Sequence, residues 1–332
     1  MSRSNPELKM PVWQTNPEGG VRRVGVELEM NGLSVDRLAE IVAGFLKLST
    51  RFVGRYERVL IGDPAGDWKV ELDFMLLKEM GREFRQSREL LDDLKDSVEN
   101  ILKWLAEPLV PLELVSPPLP LHRLGEIEAL IKHLREHGAK GTSNQPTNAF
   151  GMQFNPEIPD TDPEVLTAYL KAFLCLYDWI FKRANIDLTR RITRYIDPFP
   201  GDYVRLVVDP DYQPDLATLI DDYLDYNPTR NRALDLLPLF LYLDEARVRW
   251  VTDDPLIKPR PTFHYRLPNS NIHVLEWGLH ESWNDWVEVE NLAADRYRLH
   301  SLCAAYSEYL RNPFRRWWGR WDHVIEAQWI RR

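Results

Sequence analysis

The chain has 332 residues, 44% hydrophobic and 28% charged. A chain of this length buries roughly 75% of its unfolded surface, and the composition excludes a disordered protein. With 42 basic against 51 acidic residues, a net charge of -9 argues against a general nucleic-acid binder, which would carry a basic excess, and leaves room for a local basic patch.

Residues 1–20 are polar, broken by Pro11, Pro17 and Gly19-Gly20, and are expected to form an arm. They lack the apolar core of a signal peptide. A strand is predicted from Val24 to Met30, then a helix from Val35 to Leu48 started by Ser34 or Asp36. Phe52–Ile61 and Trp68–Leu76 are predicted as two strands joined by the turn GDPAGD (62–67). Apolar residues at helical spacing predict a helix over 84–106, ended by Pro108. A strand over 109–115 stops at SPPLP (116–120), and a helix follows over 124–137. Beyond the polar loop GTSNQPTN (141–148) come a strand over 150–156 and a long helix over 163–184. Residues 185–260 are predicted to be mainly helix and loop, with a last strand over 262–267 and helices over 281–332 broken at Pro313. Strands early and helices late make an α+β pattern rather than a doubly wound parallel sheet.

No apolar run approaches the ~20 residues of a membrane span. Two cysteines, Cys175 and Cys303, supply neither a disulfide framework nor a Cys-rich zinc site. The expected setting is the reducing cytoplasm, with no membrane and no nucleic-acid partner.

Strand side chains alternate between faces. In VGVELEM (24–30) this puts Val24, Val26, Leu28 and Met30 on one face and Glu27 and Glu29 on the other. In WKVELDF (68–74) Lys69, Glu71 and Asp73 oppose an apolar set. In LELVS (112–116) Glu113 opposes Leu112 and Leu114, and in GMQFN (151–155) Gln153 and Asn155 oppose Met152 and Phe154. If the strands share a sheet, five carboxylates gather on one face and repel unless positive charge sits among them. Hard oxygen donors of this kind suit Mg²⁺ more than Zn²⁺. The same alternation also describes solvated faces of ordinary antiparallel strands.

In their order, VGVELEMNG (24–32), the Glu71-Leu72-Asp73 strand, ELVSP (113–117) and FHYRLP (263–268) resemble the amidoligases. These are grouped with glutamate–cysteine ligase and glutamine synthetase among the carboxylate–amine ligases. The resemblance implies a curved, mainly antiparallel sheet of glutamine synthetase-like fold, with helices on the outer face and a helical C-terminal half. It implies an arm (1–20), a catalytic domain (21–275) with a mainly helical insertion near 160–260, and a helical extension (276–332) packed on the same domain. Glu27, Glu29 and Glu113 would be metal ligands, Glu71 or Asp73 would stand near a second metal or the amine, and Arg266 would contact phosphate. Relatives often carry His-x-His where this chain has Gln153 and Asn155, and Glu where it has His264. Gln and Asn still offer oxygens, and His264 can ligate metal or donate to phosphate.

The implied activity is amide-bond formation from small-molecule carboxylate and amine substrates, driven by ATP with Mg²⁺ through an acyl phosphate. Glu71 or Asp73 would take the proton of the attacking amine, and Arg266 would bind the transferring phosphoryl group. Arg190, Arg191 and Arg194 in DLTRRITRYIDP (187–198) would bind a substrate carboxylate or a nucleotide phosphate, or else form a solvated helix face. Two other classes fit the same residues: a non-catalytic relative that binds an amino-acid-like ligand or a protein, and a metal-dependent phosphohydrolase. The Trp- and Arg-rich end (311–332) is expected to dock Trp317, Trp321 and Ile325 on the domain, with a homo-oligomer contact and a nucleic-acid or membrane-surface patch as the alternatives.

Overall fold

The computed structural model describes residues 7–72, 111–142, 150–185, 196–312 and 320–330. The described strands are β1 (Arg23–Met30), β2 (Ser49–Gly54), β3 (Glu57–Ile61), β4 (Trp68–Leu72), β5 (Leu112–Val115), β6 (Leu119–Pro120), β7 (Met152–Pro156), β8 (Leu234–Asp235) and β9 (His264–Tyr265). They form one open sheet in the order β2-β3-β4-β5-β1-β7-β9-β8, with β6 pairing the start of β1. Every pair is antiparallel. The described helices are α1 (Val35–Leu46), α2 (Leu124–Glu136), α3 (Pro163–Arg183), α4 (Gly201–Val207), α5 (Leu216–Tyr226), α6 (Leu237–Leu243), α7 (Glu245–Val251), α8 (Leu279–Ala294), α9 (Arg296–Arg311) and α10 (Trp321–Gln328). The fold is mixed α/β, with helices filling the C-terminal half. No described helix is long and apolar enough to cross a membrane.

The alternation read from β1 is the burial seen. Val24, Val26, Leu28 and Met30 are buried, while Gly25, Glu27 and Glu29 are half-buried on the opposite face. The apolar face meets the helices. Val26, Leu28, Trp68 and Leu114 pack against Ile127, Leu130 and Ile131 of α2. Phe154 of β7 meets Trp283 of α8 edge to face at 5.8 Å, and Tyr265 of β9 stacks on Trp286 at 5.3 Å. Aromatic pairs at these spacings add to the burial of their area.

Ser34 caps α1 by accepting from the Arg37 amide, and Asp162 caps α3 by accepting from Glu164 with Pro163 in the first turn. Ser34 is one of the two starts expected from the sequence, and Asp162 and Pro163 follow the same capping chemistry. Gly32, just past β1, has φ +86°, and a Cβ there would lie 2.6 Å from the Gly138 carbonyl. Only glycine fits this close, left-handed turn.

The stretch 52–61 is two strands rather than one: β2 and β3 form a hairpin turned at Arg55-Tyr56. The final strand is two residues long, with a bridge from Thr262 to Glu157 beside it. The predicted helix over 84–106 lies outside the described residues.

At the C-terminus Trp321 and Ile325 are buried, and Trp317 lies outside the described residues. The Trp321 indole donates to the Cys175 carbonyl at 2.8 Å and stacks on Tyr306 at 4.7 Å. Asp322 pairs with Lys182 at 2.8 Å.

Candidate active site

Cross-strand register turns the polar face into ordered rows. Glu57 stands opposite Glu71, Glu71 opposite Glu113, and Glu113 opposite Glu29. Four glutamates thus form one line across β3, β4, β5 and β1. Like charges directly opposite destabilise a sheet, so such a line is not what sheet stability favours. The next row holds Lys69, Val115, Glu27 and Gln153, and the one beyond pairs Gly25 with Asn155.

A cleft of about 600 Å³ opens on this face. Its lining includes Glu27, Glu71, Glu113 and Asn155 from the expected set, with Gly25 and Lys69 between them. It also includes Arg23, Glu157, Arg260 and Thr262, none of which was expected from the sequence. Arg23 carried a signal, because the alternation of β1 extends one step further. Arg260 lies in the loop KPRP (258–261), which has no periodicity to read.

Loops on either side fix the walls. Asp63 accepts from the Trp68 indole at 2.9 Å, the Ala65 amide at 2.8 Å and the Arg123 guanidinium at 2.7 and 2.9 Å. The Arg123 hydrogen bonds hold its carboxyl well below the usual carboxylate range. This sets Ala65, Gly66 and Asp67 along one rim. On the other side of β5, the Ser116 hydroxyl accepts from the Val26 amide at 2.9 Å, so the Ser-Pro turn is tied to β1.

The two amides of β7, Gln153 and Asn155, each serve a β1 glutamate. Asn155 Nδ2 donates to Glu27 Oε1 at 2.9 Å, and Gln153 Nε2 approaches Glu29 Oε1 at 3.4 Å. Glu29 also accepts from the Gly151 amide at 2.7 Å. His264 Nε2 faces Gln153 Oε1 at 2.7 Å. Burial first, then the charges of Arg266, Arg260 and Arg230, push the His264 ring well below its ordinary value. A neutral ring with its proton on Nε2 donates into this chain, giving a relay His264–Gln153–Glu29.

Arg260 lies 3.6 Å from Glu27. Arg23 is held by Glu157, whose carboxylate accepts from its backbone amide at 2.9 Å and its guanidinium at 2.8 Å. These hydrogen bonds from Glu157 raise the Arg23 pKa. Arg266 does not line the cleft, and its guanidinium donates to the Arg230 carbonyl. Asp73, Arg190, Arg191 and Arg194 lie outside the described residues. Among the described residues no three His, Cys, Asp or Glu side chains already converge on one metal position.

A family model described as "Putative amidoligase enzyme" matches residues 20–288. The chain belongs to this amidoligase family. The matched stretch contains every strand of the sheet and the whole cleft. No curated protein and no solved structure matches the chain.

The amidoligase sheet ends in a buried carboxyl. Asp235 of β8 stands opposite His264, and its Oδ1 accepts from the Leu237 amide at 2.9 Å. Burial, which the neighbouring charge of Arg266 only partly offsets, pushes its pKa from 3.8 up to about 7. Between pH ~4 and ~7 the native state therefore keeps a proton that the unfolded chain has released, so stability falls as pH rises through that window. Asp235→Asn keeps the acceptor and removes the titration. Urea unfolding is expected to show that its stability relative to wild type grows from pH 4 to pH 8 by an amount on the order of 4 kcal/mol. A constant difference across that range would contradict the assignment.

Proposed function

We propose that this chain is an ATP- and Mg²⁺-dependent ligase that joins a carboxylate to an amine through an acyl phosphate. Its substrate would be an amino acid or a peptide-like molecule. This reading includes a glutamine synthetase-like catalytic fold, membership of the glutamate–cysteine ligase and glutamine synthetase superfamily, and a cytoplasmic setting. The observation that carries it is the line Glu57–Glu71–Glu113–Glu29, held in register across four strands of an amidoligase-family sheet.

The donor chemistry suits Mg²⁺, which prefers carboxylate oxygens. Mg²⁺ commonly binds through one or two carboxylates plus substrate phosphates and keeps several waters. A row of glutamates without a closed cage of three fits that habit better than it fits a structural metal site. Glu29 and Glu113 would hold the ion, with Glu71 beside them. Bound there, it would neutralise phosphate charge during transfer. Glu27, one row away and engaged by Asn155 and Arg260, would serve the substrate rather than the ion.

The chain's own work is positioning and charge compensation. Lys69 and Arg23 project into the cleft and would meet phosphate oxygens. Arg266 would join them only by releasing the Arg230 carbonyl. The substrate carboxylate would attack the γ-phosphorus of ATP, giving an acyl phosphate and ADP. The amine would then attack the acyl carbon and expel phosphate, losing its proton to Glu71.

The full chain should be incubated with ATP, Mg²⁺, a pool of carboxylic acids and hydroxylamine as the nucleophile. Hydroxamate and ADP are expected in equal amounts, and chelation of Mg²⁺ should stop both. No ADP with any acid would overturn the reading. It would favour a second one, a non-catalytic relative. That reading is favoured by His264 being engaged with Gln153, and Gln153 and Asn155 with the β1 glutamates, and it predicts nucleotide binding without turnover.

A further inference from the structure

We propose that the end of the cleft formed by Glu27, Asn155, Arg260 and Thr262 is the seat of a zwitterionic α-amino-acid head group. The inference rests on the ligase reading and names the part of the substrate that this end recognises.

Two buried oxygens there lack partners among the described residues: Asn155 Oδ1 and Thr262 Oγ1. Asn155 is only 6% exposed, and its orientation is fixed by the amide nitrogen's bond to Glu27. Its free oxygen therefore calls for a donor. Leaving a buried acceptor without one is costly. The Thr262 hydroxyl can donate as well as accept.

Glu27 and Arg260 face each other at 3.6 Å, longer than a close ion pair, and the Arg260 side chain is 46% exposed. A pair of that kind contributes little to stability and yields easily. A monocation or a monoanion placed between them would leave one charge uncompensated. A zwitterion replaces the direct pair and keeps the balance. Its ammonium would donate to Glu27 and Asn155 Oδ1, and its carboxylate would accept from the Arg260 fork and the Thr262 hydroxyl. Both orphan oxygens are buried, and the residues that carry them line the same cleft as Glu27 and Arg260. Gly25, on the same face, keeps the floor low: a Cβ there would stand 3.4 Å from Asn155.

The test is calorimetric titration of the full chain, without ATP, against the twenty L-amino acids one at a time. The best ligand is then compared with its N-acetyl and α-carboxamide forms. At least one free amino acid is expected to bind, and each blocked form about tenfold or more weaker. Thr262→Val and Arg260→Met should each weaken the free acid by a similar factor and narrow its preference over the carboxamide. Equal binding of free and blocked forms, or no binding by any amino acid, would overturn the seat. Hydroxamate formation from other acids would then still support the ligase. Amino-acid binding with no ADP from any mixture would instead sink the ligase reading and leave the seat standing.

Discussion

Arg22→Met is expected to lower unfolding stability at pH 7 by about 3–5 kcal/mol, read as the shift in a urea transition. Arg22 is fully buried and forms a fork with Glu290 at 2.6 and 3.0 Å. The same guanidinium donates to the carbonyls of Glu157 and Trp13, both at 2.7 Å. It therefore joins the N-terminal segment, β7 and α8. Among the described residues, removing it leaves the Glu290 carboxylate, 1% exposed, with the Tyr169 hydroxyl at 2.9 Å and the Trp286 indole at 2.6 Å. The loss is therefore mostly that of an uncompensated buried charge. A second variant separates this cause from lost packing. Glu290→Gln combined with Arg22→Met removes the charge and should recover a good part of the stability. A loss below about 1 kcal/mol would contradict this account of Arg22.

The effect should reach the cleft. Glu157 takes the Arg22 guanidinium on its backbone carbonyl and the Arg23 guanidinium on its side chain. A change at position 22 therefore loosens the support of a cleft-lining cation without touching the cleft.

What the sequence revealed and what it hid follow from the physics of strands. Alternation assigns a face, and Glu27, Glu29, Glu71 and Glu113 do lie together on one face of a shared sheet. Alternation does not assign register, because every two-residue slip keeps the same face. The pairing of Glu71 with Glu113 and Glu29, and the separate row of Glu27, could be learned only from the pairing of strands distant in sequence. Glu57 was hidden for another reason. The turn at Arg55-Tyr56 lacks the Asn-Gly or Asp-Gly signature of a tight hairpin, so β2 and β3 read as one strand. Strands β6 and β8 have two residues each, too short for any period. Arg260 and Thr262 reach the cleft because the Ile158 and Phe263 amides bind the carbonyls of Pro261 and Pro156, both at 3.0 Å. That is tertiary pairing with no local pattern.

The resemblance sets a His-x-His pair against Gln153 and Asn155 of this chain. In the fold, Gln153 and Asn155 direct amide donors at Glu29 and Glu27. They orient carboxylates that a histidine pair would meet differently, and so belong to the support of the site as much as to its lining.

The central claim is that the glutamate row is the chemical centre. The most direct measurement is ATP-dependent hydroxamate formation by Glu29→Gln and Glu113→Gln, each beside wild type, with thermal unfolding recorded on the same samples. Each change keeps shape and removes one negative charge from a line of like charges, so the fold should be as stable as before or slightly more so. Turnover should fall at least about a hundredfold in both. Wild-type turnover in either variant, with the fold intact, would contradict the claim.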